Sequence, residues 1–379
     1  MKNVAIITLN GYFNYGNRLQ NYALQEVIKK LDYDVETILH HELHLSSNEN
    51  KMTRIVKRIV RNINPTNFKK MISIKLTASK RKNANNNRIM AFKQFTEKYI
   101  NETSYSITSD TSLDFLDSQY DFFVVGSDQI WNPFYHQHEK IVPAIEYLTF
   151  APKEKRLSYA ASFGINEIPE NYIDRVKNGL SGMKSILVRE QAGVEIVKKL
   201  TGKDAQLVLD PTMLLTKEKW LSIAEENKNK PKKKFLLTYF LGEMSPETVN
   251  FIEKISIENN LEIIQLENYK YTELYNASPS HFVDFINSAS IFLTDSFHGV
   301  VFSILLETPF IVFKRHENGP SMYSRIETLL QTFKLENRQI NYLIKKPTEW
   351  MYLDFSETRE VLLEEREKSL SIFKNSFFY

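Results

Sequence analysis

Four short apolar runs in this chain each stop at a polar, charged or glycine-bearing loop. They are Val4-Ala5-Ile6-Ile7-Thr8-Leu9, Phe122-Phe123-Val124-Val125, Ile186-Leu187-Val188 and Ile291-Phe292-Leu293-Thr294. An unbroken apolar run of strand length belongs to a strand buried on both faces, as in a parallel sheet covered by helices. The segments between them agree. After the first run comes Asn10–Asn17, rich in turn formers. Leu19, Tyr22, Ala23, Val27, Ile28 and Leu31 then recur at helical spacing, and Val35–Leu39 reads as the next strand. Strand, loop, helix and strand make a βαβ unit.

The same rhythm fills the rest of the chain. Strands are expected at 156–161, 185–188 and 207–209, with helices at 171–180 and 191–200. Asp210-Pro211-Thr212 then breaks the pattern. Beyond it, strands at 235–240, 262–266, 291–294 and 310–313 alternate with helices at 245–257, 280–289 and 300–306. A helix at 357–373 closes the chain. With 379 residues there is too much chain for one core. The expectation is an α/β protein of two parallel-sheet domains, 1–209 and 210–379.

Cysteine is absent, which removes disulfide scaffolds, thiolate metal sites and a thiol nucleophile. The longest apolar run, Val300–Phe313, is broken by Glu307 and Pro309 and falls short of the ~20 residues a membrane span needs. No leader is visible at Met1–Leu9, so a cytoplasmic protein is expected.

Charge is unevenly spread. Residues 51–88 hold twelve Lys and Arg and no acid, while the remainder carries 37 basic and 46 acidic residues. Ile55, Val56, Ile59, Val60 and Ile63 line one helical face there, opposite Lys57, Arg58 and Arg61. Residues 51–82 therefore read as a basic amphipathic insertion. It suits an anionic membrane surface at the inner leaflet, or packing on its own domain. Asn83–Asn87 reads as a loop and Arg88–Tyr99 as a further helix. Nucleic acid is not the expected partner, because Phe68 is the sole aromatic in this stretch and the rest of the chain is acidic.

In open parallel sheets, ligands bind beyond the carboxyl ends of the strands. The first such loop offers Gly11, Asn14, Gly16 and Asn17 ahead of a helix, an arrangement open to an anion or a plain turn. The second offers Gly126, Ser127, Asp128 and Trp131. Asp128 suits a substrate hydroxyl, and Trp131 suits a sugar face or the core. The third places Arg189 at a strand end, where a guanidinium clamps a carboxylate or phosphate, or else pairs with Glu190 or Asp210. The fourth, Asp295-Ser296-Phe297-His298-Gly299, sets a histidine at a helix start with Asp295 close enough in sequence to orient it. Such a histidine can carry a proton near neutral pH. His40, His41 and His44 also cluster, but only Glu42 accompanies them, and no metal is expected.

Taken in order, these loops resemble the polysaccharide pyruvyl transferase family. The resembling stretches are Gly11–Gln20, Gly126–Pro133, Val188-Arg189-Glu190, Asp210-Pro211-Thr212 and Thr294–Gly299. The resemblance runs from residue 4 to about residue 330. It implies a fold like that of GT-B glycosyltransferases, with two Rossmann-like domains facing each other across a cleft. It implies phosphoenolpyruvate as donor, with no further cofactor, and a sugar of a cell-surface polysaccharide as acceptor, the acceptor being lipid-linked. On that analogy His298, with Asp295, is the acid/base pair. Arg189, Gly126, Ser127, Ser296, Gly299 and Arg325 surround the donor. Asn14, Asn17, Asp128 and Trp131 face the acceptor. Family members commonly carry Arg two residues before the histidine. Here Ser296 stands at that place, leaving Arg325, Lys314 or Arg315 to supply the charge. The rival reading is a metal-independent glycosyltransferase using a nucleotide sugar, with Glu307 at the ribose.

Overall fold

The computed structural model describes residues 2–40, 65–108, 112–135, 144–315 and 323–378, with backbone alone for 65–78. Five parallel strands form the first sheet in the order β3-β2-β1-β4-β5. They are β1 (Lys2–Ile7), β2 (Tyr33–His40), β3 (Glu102–Ile107), β4 (Phe122–Val125) and β5 (Arg156–Ser158). Val4 lies opposite both Val35 and Phe122. Parallel bridges from Leu157 to Ser185 and from Ala161 to Val188 extend the layer to β6 (Leu187–Val188), which pairs with β7 (Gln206–Leu207). The second sheet runs β11-β10-β8-β9, from β8 (Phe235–Tyr239), β9 (Glu262–Gln265), β10 (Ile291–Thr294) and β11 (Phe310–Val312). Its pairs are parallel too. Val4–Ile7 and Ile291–Thr294 are fully buried, as their apolar runs require.

Helices α1 (Tyr15–Lys29), α2 (Pro65–Tyr99), α3 (Gln191–Thr201), α4 (Pro279–Ser288), α5 (Phe297–Leu306), α6 (Ser324–Thr332) and α7 (Ser356–Ser376) pack around these sheets. Ser278 caps α4 in a capping box closed by His281. Two expectations need correction. The asparagine-rich stretch 83–87 is helical, inside one continuous α2, because Ala84 and Arg88 on its inner side are buried against the body of the protein. The edge strand β3 is an addition that the apolar pattern does not foretell. Residues 51–64, which carry the charged face of the basic insertion, lie outside the described residues, as do His41 and His44. His40 is buried, its Nε2 2.7 Å from the Thr8 carbonyl oxygen. Among the described residues, no helix is long and apolar enough to cross a membrane.

The two sheets are locked together by aromatic packing. Tyr15, first residue of α1, stacks on Phe282 of α4 at 4.3 Å, and its hydroxyl donates to the Ala277 carbonyl at 3.0 Å. Arg88 of α2 reaches the same seam and donates to the Tyr275 carbonyl at 2.6 Å and to the Tyr15 hydroxyl at 3.1 Å. Its buried guanidinium is ringed by Phe13, Tyr15, Phe92 and Tyr275, at 4.4 to 5.0 Å from their centroids. Desolvated cation–π contacts of this kind contribute about 2 kcal/mol or more. Finally α7 returns to the first sheet. Phe373 packs on Tyr159, Phe377 stacks on Tyr33, and Ser369 Oγ accepts from the Leu209 N–H at 3.0 Å. The closing helix expected from the sequence therefore packs on the first sheet, although it follows the second in the chain.

Candidate active site

The carboxyl ends of β4, β6 and β10 meet between the two sheets, together with the segment Asp210–Leu214 that leaves β7. Gly126 opens the loop after β4 at φ +130°, and a Cβ there would lie 2.1 Å from the Tyr159 carbonyl oxygen, so only glycine fits. Ser127 follows, its N–H donating to Gln20 Oε1 at 3.0 Å. Gln20 itself donates to Thr8 Oγ1 and to the Asn17 carbonyl. The α1 motif thus reaches across and fixes the second loop.

Asp210 is the hub of the site and is fully enclosed. Its Oδ1 accepts from the Thr212 N–H at 3.0 Å and the Thr212 hydroxyl at 2.7 Å. Its Oδ2 accepts from Arg189 Nη1 at 2.6 Å and Ser127 Oγ at 3.2 Å. His298 Nε2 stands 3.5 Å from that same oxygen. Burial pushes the Asp210 carboxyl up, but His298, Arg189 and Thr212 outweigh it and hold the carboxyl well below the usual range. Arg189 also faces Asp128, with Nη2 3.4 Å from Asp128 Oδ1, and stacks 4.3 Å over the Phe297 ring. Arg325, on α6, brings Nη1 to 4.0 Å from the same Asp128 oxygen. Burial opposes the charge of Asp128, while Arg189, His298 and Arg325 hold its carboxyl low. A narrow cavity is lined by Arg189, Asp210, Phe297, Arg325, Thr328 and Glu365.

His298 sits in the first turn of α5, where Ser296 caps the helix by accepting from the Gly299 N–H at 3.3 Å. A Cβ on Gly16 would lie 2.0 Å from His298 Nδ1, so the imidazole of the second domain rests on a bare glycine of the first. Among the described residues, His298 Nε2 and Arg189 Nε are buried without a hydrogen-bond partner.

The site residues read from the sequence divide into two groups. Gly126, Ser127, Asp128, Arg189, His298 and Arg325 converge. Gly299 lies beneath, where a Cβ would meet Thr294 Oγ1 at 2.7 Å, and Ser296 serves as a cap. Asp295 does not orient His298. Its Oδ1 accepts from the Leu241 N–H at 2.7 Å, and its Oδ2 from the Gly242 N–H at 2.9 Å and Arg315 Nε at 3.0 Å. It ties three strand-end loops of the second sheet together. Asp210 takes the place expected of Asp295; the sequence offers it as a partner of Arg189, as found, but its approach to His298 is made by the fold, because the two are far apart in the chain. Trp131 is core, its Nε1 donating to the Glu146 carbonyl at 2.6 Å and its ring stacked on Tyr147. Asn14 caps α1. The Asn17 side chain is spent on the Leu9 carbonyl, the Gly11 N–H and Arg18. Glu307 pairs with Lys217 and Arg359.

Glu267, following β9, has its carboxyl pushed up to about 8, chiefly by burial, with Asp295 adding to it and the Thr238 hydroxyl working against it. A carboxyl raised in the folded state removes stability as pH climbs from its unfolded value of about 4.3 to about 8. Glu267→Gln is therefore expected to raise the melting temperature at pH 8, with the gain vanishing toward pH 4. Calorimetry at both pH values checks it, and a gain independent of pH would refute the assignment.

A sequence model of the polysaccharide pyruvyl transferase family matches residues 14–317. No curated protein matches the chain. Among solved structures, a Listeria monocytogenes protein described as a UDP-N-acetylglucosamine 2-epimerase superposes with a TM-score of 0.50 at 10% identity, over 100% of this chain and 97% of that one. The Methanocaldococcus jannaschii UDP-GlcNAc 2-epimerase gives 0.46 at 14% identity, over 96% and 99%. MurG of Acinetobacter baumannii gives 0.39 at 8% identity, over 99% of each chain. The Listeria likeness shows the fold alone, in keeping with two facing Rossmann-like domains. The family match is more specific. It spans Gly126–Asp128, Arg189, Asp210 and His298, the residues that meet at the cleft, and the chain belongs to the polysaccharide pyruvyl transferase family.

Proposed function

We propose that the chain transfers the pyruvyl group of phosphoenolpyruvate to two hydroxyls of a sugar in a cell-surface polysaccharide precursor. The product is a carboxyethylidene ketal, and phosphate is released. One observation carries this reading: two guanidiniums and an imidazole, from three separate segments, gather on two carboxylates at the strand ends between the sheets, with Arg189 and Arg325 lining one cavity, and Arg189 Nε is buried there without a hydrogen-bond partner among the described residues. Buried polar nitrogens left unpaired are costly, and a ligand with acceptor oxygens offsets that cost. Phosphoenolpyruvate brings a carboxylate and a phosphate, about three negative charges, which suit fixed cations in a desolvated site.

In this reading Arg189 and Arg325 bind the donor's anionic groups. His298 delivers a proton to the enol carbon C3, leaving C2 electron-poor. One sugar hydroxyl bonds to C2, and its proton restores the imidazole. The bond from C2 to the phosphate oxygen then breaks, the second hydroxyl closes the ring, and its proton leaves with phosphate. Arg325 supplies the charge that Ser296 cannot, reaching the cleft from a helix later in the chain. The acceptor, a lipid-linked sugar, enters from the Asp128 side.

Thermal shift tests the donor. A ligand that binds only the folded state raises the midpoint by mass action, about 2.7 kcal/mol of stabilisation at a hundredfold excess over Kd. Phosphoenolpyruvate is expected to raise the melting temperature at fixed ionic strength, and UDP, GDP and their sugars are not. A shift with a nucleotide alone would refute pyruvyl transfer and leave a glycosyltransferase.

A further inference from the structure

Two carboxylates contact Arg189, and they are held very differently. Asp210 is fully enclosed and accepts four hydrogen bonds. Asp128 accepts one long hydrogen bond, from Arg189 Nη2 at 3.4 Å, stands 4.0 Å from Arg325 Nη1, and its side chain keeps 13% of its exposure. Its backbone stands at φ +60°, a left-handed conformation that Asp and Asn adopt more readily than most residues. This turn throws the carboxylate forward, between the two guanidiniums. An Oδ1 shared by Arg189 and Arg325 stands where an oxygen of a bound anion would stand.

We propose that Asp128 is the resident anion of the donor site: its carboxylate holds the space between Arg189 and Arg325 until the donor displaces it, and it then turns to hold the acceptor's hydroxyl. This rests on the pyruvyl-transfer reading. Asp210 stays in place throughout, because it is fully enclosed and held by four hydrogen bonds. Asp128 leaves, because a single carboxylate at these distances is outcompeted by a ligand of about three charges. Binding then has an order. The acceptor's polar contact becomes available once the donor is seated.

The test is the dissociation constant of phosphoenolpyruvate, by titration calorimetry on the full chain. Asp128→Asn keeps the shape and the left-handed turn and removes the charge. It is expected to bind phosphoenolpyruvate about five-fold more tightly, the loss of one weak competing ion pair. Inorganic phosphate is expected to tighten in parallel, since it reads the charge alone. Asp128→Gly, which the left-handed backbone also accommodates, serves if the first variant misfolds, and its affinity is expected to rise likewise. Unchanged or weaker binding in a folded variant would overturn the proposal, since a merely structural or donor-binding Asp128 would lower affinity. Failure of the wild-type chain and both variants to bind phosphoenolpyruvate overturns the pyruvyl-transfer reading instead.

Discussion

Replacing His298 with Gln is expected to cut turnover by about 100- to 10,000-fold, the usual contribution of a positioned proton-transfer group, while the protein stays folded. Gln keeps a polar nitrogen near Asp210 Oδ2, where His298 Nε2 stands at 3.5 Å, and spares the seam against Gly16. What it lacks is a titratable proton. Phosphoenolpyruvate affinity should change little, because in the proposed reaction the donor's charges are met by Arg189 and Arg325. The measurement is phosphate release from phosphoenolpyruvate over a panel of sugars with free hydroxyl pairs, alongside donor titration. Full activity in the folded variant would move the proton transfer to another residue. Loss of donor binding with no loss of maximal rate would make His298 a donor contact only.

Arg189→Ala should produce the largest loss of stability. Breaking a buried ion pair by removing one partner typically costs 3–5 kcal/mol, because the remaining charge stays buried. Here the remaining groups are two carboxylates, Asp210 and Asp128, both of which contact Arg189 in the wild type. For domains of this size the melting temperature should fall by roughly ten degrees. The pH dependence comes from the sign of the shifts. Asp210 and Asp128 are held low in the folded protein. Their stabilisation is complete above the unfolded carboxylate value, about 3.9, and is lost as pH falls through the depressed values. In the variant the one cation that contacts both carboxylates is gone, and protonating one carboxyl relieves the repulsion. The deficit against wild type should therefore shrink between pH 7.5 and pH 5. Scanning calorimetry at both values decides it; equal melting temperatures at pH 7.5 would show that the pair does not hold the cleft together.

How much of the fold and site is legible in the sequence depends on the range of the interaction. Val4–Ile7, Phe122–Val125 and Ile291–Thr294 announce themselves because a strand buried on both faces needs apolar residues at every position. Glu102–Ile107 does not, because an edge strand tolerates Glu-Thr-Ser-Tyr-Ser. Asn83–Asn87 misleads because asparagine disfavours helices locally, while burial of Ala84 and Arg88 decides the outcome at a distance. Arg189 and His298 are legible as strand-end residues. Asp210 is legible as one of two candidate partners of Arg189, but not as the partner of His298. Asp295 is three residues from His298, yet its carboxylate is turned toward Leu241, Gly242 and Arg315. Asp210 meets the imidazole through the fold. Trp131, open in the sequence to a sugar face or the core and set at the acceptor by the resemblance alone, is core, its ring claimed by Tyr147 and Phe163.

The bare glycine beneath His298 ties chemistry to domain closure. Because the imidazole of one domain is seated on the backbone of the other, and its carboxylate neighbour lies in the segment that joins them, ring, seat and carboxylate stand together only while the domains are shut. Any parting of the sheets separates ring, seat and carboxylate together. On the pyruvyl-transfer reading, phosphoenolpyruvate held in an opened molecule would then meet water with no proton donor beside its enol carbon. On that reading the seam itself, without a dedicated lid, is expected to keep wasteful hydrolysis slow.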